Sequence, residues 1–186
     1  MTKKSIIFAT TSLDKIREAK AVLTINVIPS GLEIPEIQSL NPQAVAVHKA
    51  QSYFAKLKKP LLIEDVSLSF ATLNGLPGPY INDFSKSLGN AGLIKLLSDQ
   101  SDRSAVALTT LIYCDAKGSL HEFQGEIKGT ISQKPLGDNG FGWDPIFIPN
   151  GHTKTFAQMT DKEKNSLSMR AIALHKFKSW LSSHPS

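Results

Sequence analysis

The chain contains a single cysteine, Cys114, in 186 residues, which excludes a disulfide framework. Cys114 closes the apolar run that begins at Ala107 and reads as a small buried hydrophobe rather than a catalytic thiol. No apolar stretch is long enough to span a bilayer. The basic pair Lys3-Lys4 precedes only Ser5-Ile6-Ile7-Phe8-Ala9, too short for a signal-peptide core. A cytoplasmic location is therefore the expectation. Basic residues outnumber acidic ones by 21 to 16, yet no dense basic run accounts for the excess. Lys56, Lys58 and Lys59 come nearest, at a helix end where cations suit the dipole. Aromatics are not interleaved with basic residues as in single-strand nucleic-acid binders, which disfavours that class. A Gly-rich Walker loop, internal repeats, linkers and low-complexity segments are all missing. Length and composition suit one globular domain over residues 1–186.

What is present begins with a buried strand, Ile6 to Ala9. A polar link, Thr10-Thr11-Ser12, leads into a helix over Leu13–Leu23 with Ile16, Ala19, Val22 and Leu23 inward. A weaker strand lies within Val27 to Ile34, interrupted by Pro29 and Gly31. Asn41-Pro42 fits an N-cap with proline at the first helical position, opening a helix to about Leu57. The strand Leu61-Leu62-Ile63 leads to Glu64-Asp65. Leu73 to Pro79 is too rich in glycine and proline for regular structure. A helix over Phe84–Leu97 is interrupted near Gly89-Asn90. Strands Ser104–Tyr113 and Ser119–Ile131 flank Asp115-Ala116-Lys117-Gly118, a hairpin signal. One last helix is expected from Lys162 to Leu181. The order of elements predicts an α/β fold with a mixed sheet.

Three groups of residues can carry chemistry. Thr10 to Lys15 passes from a strand into a helix N-terminus, where free N–H groups, hydroxyls and Lys15 can cradle phosphate, though by itself the pattern favours Ser12 as a plain N-cap. Glu36, Glu64 and Asp65 are carboxylates suited to Mg²⁺, which takes one or two such ligands with water and substrate oxygens. Loop acids with no such role are the alternative. Glu64 and Asp65 are adjacent on an extended chain and point to opposite faces, so both need not reach one ion. The third group is Phe141-Gly142-Trp143-Asp144-Pro145 with Lys164 and Arg170. It combines an aromatic surface, an acceptor and two cations, the set a nucleoside phosphate requires. Lys49 falls away from the apolar stripe of its helix, which by itself favours a solvated lysine.

Taken in order, Ile34-Pro35-Glu36-Ile37-Gln38, Ile63-Glu64-Asp65, Asn74-Gly75-Leu76-Pro77-Gly78-Pro79-Tyr80, Phe141 to Pro145, Thr155-Phe156-Ala157-Gln158-Met159 and Glu163-Lys164-Asn165 resemble the inosine triphosphate pyrophosphatase family. The resemblance covers nearly the whole chain. It implies an elongated mixed β-sheet with flanking helices, two lobes around a central nucleotide cleft, and a homodimer. It also implies Mg²⁺-dependent hydrolysis of non-standard purine nucleoside triphosphates (ITP, dITP, XTP) to monophosphate and pyrophosphate. Carried over by position, Thr10, Thr11, Ser12 and Lys15 form the phosphate loop, and Lys49 faces phosphate. Glu36 and Asp65 hold the metal. Asp65 is catalytic, with Glu64 and Lys15 assisting. Phe141, Gly142, Trp143, Asp144, Lys164, Met169 and Arg170 surround the base.

Three departures bear on specificity. Thr11-Ser12 stands where the family carries Gly-Asn, Asn82 stands where some relatives carry lysine, and Met169 replaces a histidine expected to hydrogen-bond the purine carbonyl. A thioether cannot donate that bond. The same reaction on a different base, and a catalytically weakened nucleotide-binding protein, are the alternatives.

Overall fold

The computed structural model describes residues 5–184; the Lys3-Lys4 pair lies outside them. The described residues form a mixed α/β structure. Strand β1 (Ser5–Phe8) leads into helix α1 (Leu13–Leu23), then β2 (Asn26–Pro29), α2 (Pro42–Leu57) and β3 (Leu61–Phe70). The short β4 (Pro77–Gly78), helix α3 (Ile81–Lys95) and strands β5 (Ser104–Cys114), β6 (Leu120–Ile131) and β7 (Phe147–Pro149) follow. Helices α4 (Asp161–Leu167) and α5 (Met169–Ser183) close the described chain. The sheet has the order β2-β1-β3-β5-β6-β7, with β4 beside β3. Strand β1 is parallel to both β2 and β3, while β3–β4 and β6–β7 are antiparallel, so the sheet is mixed. No helix among the described residues is long and apolar enough to cross a membrane.

Contacts divide the chain into two compact units. The first comprises residues 1–65, 109–125 and 170–186, and the second residues 66–108 and 126–169. In the first, Phe8, Ala19, Leu62, Leu111, Leu174 and Phe177 anchor one apolar cluster, and Ala46, Ala50, Leu61, Ile63 and Cys114 belong to another. The second unit has one cluster, including Leu68, Phe70, Leu93, Phe147 and Phe156, all fully buried. Burial of such side chains contributes about 1.5–3 kcal/mol each and holds the backbone that presents the polar groups.

Local chemistry explains most of the element boundaries. Asn41 caps α2 by accepting from the N–H groups of Gln43 at 3.0 Å and Ala44 at 3.2 Å. Asp115 organises the β5–β6 hairpin, its Oδ1 accepting from Lys117 and Ser119 N–H. Cys114 is buried, as its apolar neighbours predict.

Four sequence expectations are corrected. Glu64 and Asp65 do not end a strand. They lie within β3, because Val66, Leu68 and Phe70 continue a period-2 apolar pattern beyond them. The segment after Val27 is a strand only to Pro29. Leu73 to Pro79 is not wholly irregular, since Pro77-Gly78 pairs with Leu68-Ser69. The last helix is two helices, broken at Ser168, whose backbone is extended (φ −66°, ψ 154°). Serine competes with the helical ladder through its own hydroxyl and favours boundaries. Leu167 consequently packs with the second unit's core, whereas Ala171, Leu174 and Phe177 pack in the first unit.

Candidate active site

The first unit gathers most of the predicted charged residues. Ser12 caps α1, its hydroxyl accepting from Lys15 N–H at 3.3 Å, and its own N–H donates to Thr10 Oγ1 at 3.1 Å. Thr11 is exposed beside them. The cap fixes the first turn, from which the Lys15 side chain reaches Glu64 Oε1 at 3.1 Å. Glu64 also accepts two bonds from Arg170, Nε to Oε2 at 2.7 Å and Nη2 to Oε1 at 2.9 Å. The remaining arm of that guanidinium, Nη1, donates to Glu18. Glu18, Glu64 and Arg170 are all buried. Burial opposes ionisation of Glu64, but Arg170 and Lys15 outweigh it and hold its carboxyl at about 2. Arg170 is likewise held protonated by its two carboxylates despite its burial.

Glu18 escaped the sequence reading. It lies three residues after Lys15 and four before Val22, on one helix face, and that spacing was the available signal.

Asp65, one residue beyond Glu64, has a different environment. It is 6% exposed, and its Oδ2 is buried without a hydrogen-bond partner among the described residues. Burial pushes its carboxyl up to about 7, against the pull of Lys49 and Lys15, while Glu36 and Glu64 reinforce the rise. Lys49 is not solvated as its helix position suggested. Its side chain is 14% exposed and forms an ion pair with Glu36. Tyr53, one turn further along α2, donates its hydroxyl to Leu32 O at 2.8 Å and ties down the loop that carries Glu36.

These donors fit a hard divalent cation. Asp65 offers a carboxylate oxygen that nothing else satisfies, and Glu36 is partly open to solvent. Glu64 has both oxygens engaged by cations. Among the described residues there is no group of three or more His, Cys, Asp or Glu side chains that could hold a metal ion. Mg²⁺ takes one or two carboxylates and completes its shell with waters and substrate oxygens, so a larger protein ligand set is not required of such an ion.

The second unit holds the aromatic segment. Asp144 is buried and accepts from Lys164 Nζ at 2.6 Å and from Phe141 N–H at 2.7 Å. Lys164, also buried, lies 4.7 Å from the centre of the Phe141 ring and 5.6 Å from that of Phe156. A cation over a ring face is stabilised by its quadrupole. Gly140 has φ +75°, and a Cβ there would stand 2.1 Å from Asp144 Oδ2, so only glycine permits this turn. Phe141 is half-buried and Gly142 exposed. Trp143 packs instead into the core, edge-on to Phe147 at 5.6 Å. Met169 is buried in the same cluster. Lys164 and Arg170, read together in the sequence as paired cations, belong to separate ion-pair systems, one in each unit.

The Ham1 family model matches residues 6–180, spanning nearly the whole described chain. The chain belongs to the Ham1 family. Its relatives include the inosine triphosphate pyrophosphatase of Batrachochytrium dendrobatidis, 45% identical over 92% of this chain and 90% of that protein. The dITP/XTP pyrophosphatase of Methanopyrus kandleri is 39% identical over 94% and 95%. Among solved structures, a HAM1 protein from Coxiella burnetii superposes with a TM-score of 0.85 at 28% identity, covering 97% of this chain and 99% of its own. Family membership thus rests on both sequence and fold.

Proposed function

We propose that this Ham1-family chain is a nucleoside triphosphate pyrophosphatase acting on non-standard purine nucleotides, which it hydrolyses to the monophosphate and pyrophosphate. Relatives bearing the names inosine triphosphate pyrophosphatase and dITP/XTP pyrophosphatase align over nearly the full chain and support this reading. The observation that carries the mechanism is Asp65, a buried carboxylate with an unpartnered oxygen beside Lys15, Lys49 and Glu36.

In the proposed division of labour, the first unit handles the triphosphate. Lys15, Lys49, the hydroxyls of Thr10, Thr11 and Ser12, and the α1 N-terminus neutralise and orient it. Phosphoryl transfer depends mainly on such positioning and electrostatics. Asp65 orients the attacking water and takes its proton through its unpartnered oxygen. Glu64 stays ionised, fixes Lys15 and is itself fixed by Arg170. Mg²⁺, when held by Glu36 and Asp65, supplies charge neutralisation at the substrate oxygens. The second unit handles the base: Phe141 offers a ring face, while the buried Asp144–Lys164 pair holds the segment in place. A single catalytic domain over residues 1–186 and a homodimer, the latter testable by sedimentation, complete the proposal.

The test is pyrophosphate release from a panel of inosine, xanthosine, adenosine and guanosine triphosphates, with and without Mg²⁺. Release from the first two in preference to the last two, dependent on Mg²⁺, is expected. Tight nucleotide binding without pyrophosphate release would identify a binding protein instead.

A further inference from the structure

We propose that Asn90 is a positioning residue for nucleobase recognition, acting by anchoring the Gly142 carbonyl and thereby the backbone that carries Phe141. The inference rests on the assignment of the Phe141 segment to the base.

Helix α3 is not continuous. Gly89 has φ +64° and ψ 179°, far from helical values, so the helix turns at this point and resumes with Asn90. From the kink, Asn90 Nδ2 donates to Gly142 O at 3.0 Å, bridging 52 residues of sequence within the second unit. A carbonyl only accepts, so the amide group of Asn90 is the end that must face it.

Gly142 needs such an anchor. Its φ is +61°, yet a Cβ added there would meet nothing within 4 Å. Glycine serves the backbone angle at this position, not a close approach. Glycine itself restricts the backbone least, so the orientation of this peptide is set by the bonds it makes.

The rest of the segment is already secured. Asn139 donates its N–H to Ala157 O at 3.0 Å and its side-chain amide to Met159 O at 3.2 Å. Asp144 holds the Phe141 N–H, and Trp143 is buried. The Phe141 carbonyl accepts from Asp144 N–H at 3.1 Å, and Asn90 holds the next carbonyl, that of Gly142, in the peptide that joins this turn to Trp143. An exposed glycine peptide held by one neutral hydrogen bond has a modest but specific effect: the ring orientation changes, while the phosphate machinery in the first unit is untouched.

The test compares Asn90→Ala, which removes the amide, with Asn90→Asp, which keeps its size but cannot donate. Both should raise the KM for inosine triphosphate about three- to tenfold, the range for losing one neutral hydrogen bond, with kcat within about twofold. The inhibition constant of inorganic triphosphate, which has no base, should not move. Trp143 reports binding separately. In a Trp180→Phe background it is the sole tryptophan, and its emission should respond to inosine with a correspondingly weaker affinity in both Asn90 variants.

An unchanged KM and inosine affinity in folded Asn90 variants overturns the proposal. So does a parallel loss of kcat and triphosphate binding, which would mark general structural damage. Phe141→Ala separates the two levels. If it raises KM and the Asn90 variants do not, only the role of Asn90 fails. If it leaves KM unaltered, the base assignment fails and takes this proposal with it.

Discussion

In the first unit, Glu64 has both carboxylate oxygens occupied by cations, while Asp65, the next residue, keeps a buried oxygen with no hydrogen-bond partner among the described residues. In the second unit, Asp144 accepts from Lys164 and from the Phe141 N–H inside a glycine-permitted turn. Strand and helices carry the first arrangement across long sequence separations; a short local loop builds most of the second. The contrast separates two uses of buried charge. A satisfied ion pair fixes geometry, whereas an unsatisfied carboxylate is poised for a proton, a cation or a water.

The contrast breaks most severely at Lys164. Lys164→Met removes the buried cation bonded to Asp144 and should destabilise the protein by about 3–5 kcal/mol, read as a loss in denaturant midpoint. Combining it with Asp144→Asn should recover much of that stability, because a neutral pair removes the uncompensated charge. Failure of the second change to recover any stability would mean the pair is not the energetic unit described.

Asp65→Asn is expected to lower kcat by about 10²-fold with the fold intact. Its stability effect should have the opposite sign. Burial pushes the folded carboxyl up to about 7, above the ordinary value of 3.8, so the folded state retains a proton that the unfolded chain has released. Stability associated with Asp65 therefore falls as pH rises between those values, and asparagine removes the loss. Thermal melts without metal at pH 8 should show the variant more stable than the parent. Near-normal turnover in a folded variant would remove Asp65 from the chemistry.

Glu64 should show the reverse dependence. Its folded carboxyl lies at about 2, below the ordinary value of 4.5, so its contribution is present above 4.5 and disappears as pH falls toward 2. Glu64→Gln should accordingly flatten the acid limb of stability measured over that window. The smallest effect belongs to Met169→Leu. Met169 is buried among apolar side chains, and a volume-conserving swap should cost less than about 1.5 kcal/mol. The ratio of kcat/KM for inosine to guanosine triphosphate should stay within about twofold, because neither side chain donates a hydrogen bond. A large change in that ratio would give the thioether a direct part in reading the base.

Much of the fold was legible because periodicity and caps agree. Asn41-Pro42 marks the start of α2, and the Asp115–Gly118 turn marks the hairpin. The end of β3 was missed because two acids interrupt an apolar run, and polarity alone suggested a loop. The break at Ser168 was hidden because apolar spacing continues through it, although the two sides pack in different clusters. At the site, Lys15, Glu36, Lys49 and Asp65 were identifiable as candidates through the ordered motifs, but their pairings were not. Glu64 looked like a helper for Asp65, yet its partners are Lys15 and Arg170, joined across 106 residues in the second case. Such long-range ion pairs have no local signature. The burial of Trp143 and Met169 was equally hidden, since an aromatic or thioether beside a binding motif reads alike as a ligand contact or as core.

Hydrolysis of inosine triphosphate in ¹⁸O-labelled water, with mass analysis of both products, tests the central claim most directly. If Asp65 directs water to the α-phosphorus, the label enters inosine monophosphate and the pyrophosphate stays unlabelled. Label in pyrophosphate, or release of inorganic phosphate with inosine diphosphate, would place the attack elsewhere and contradict the account.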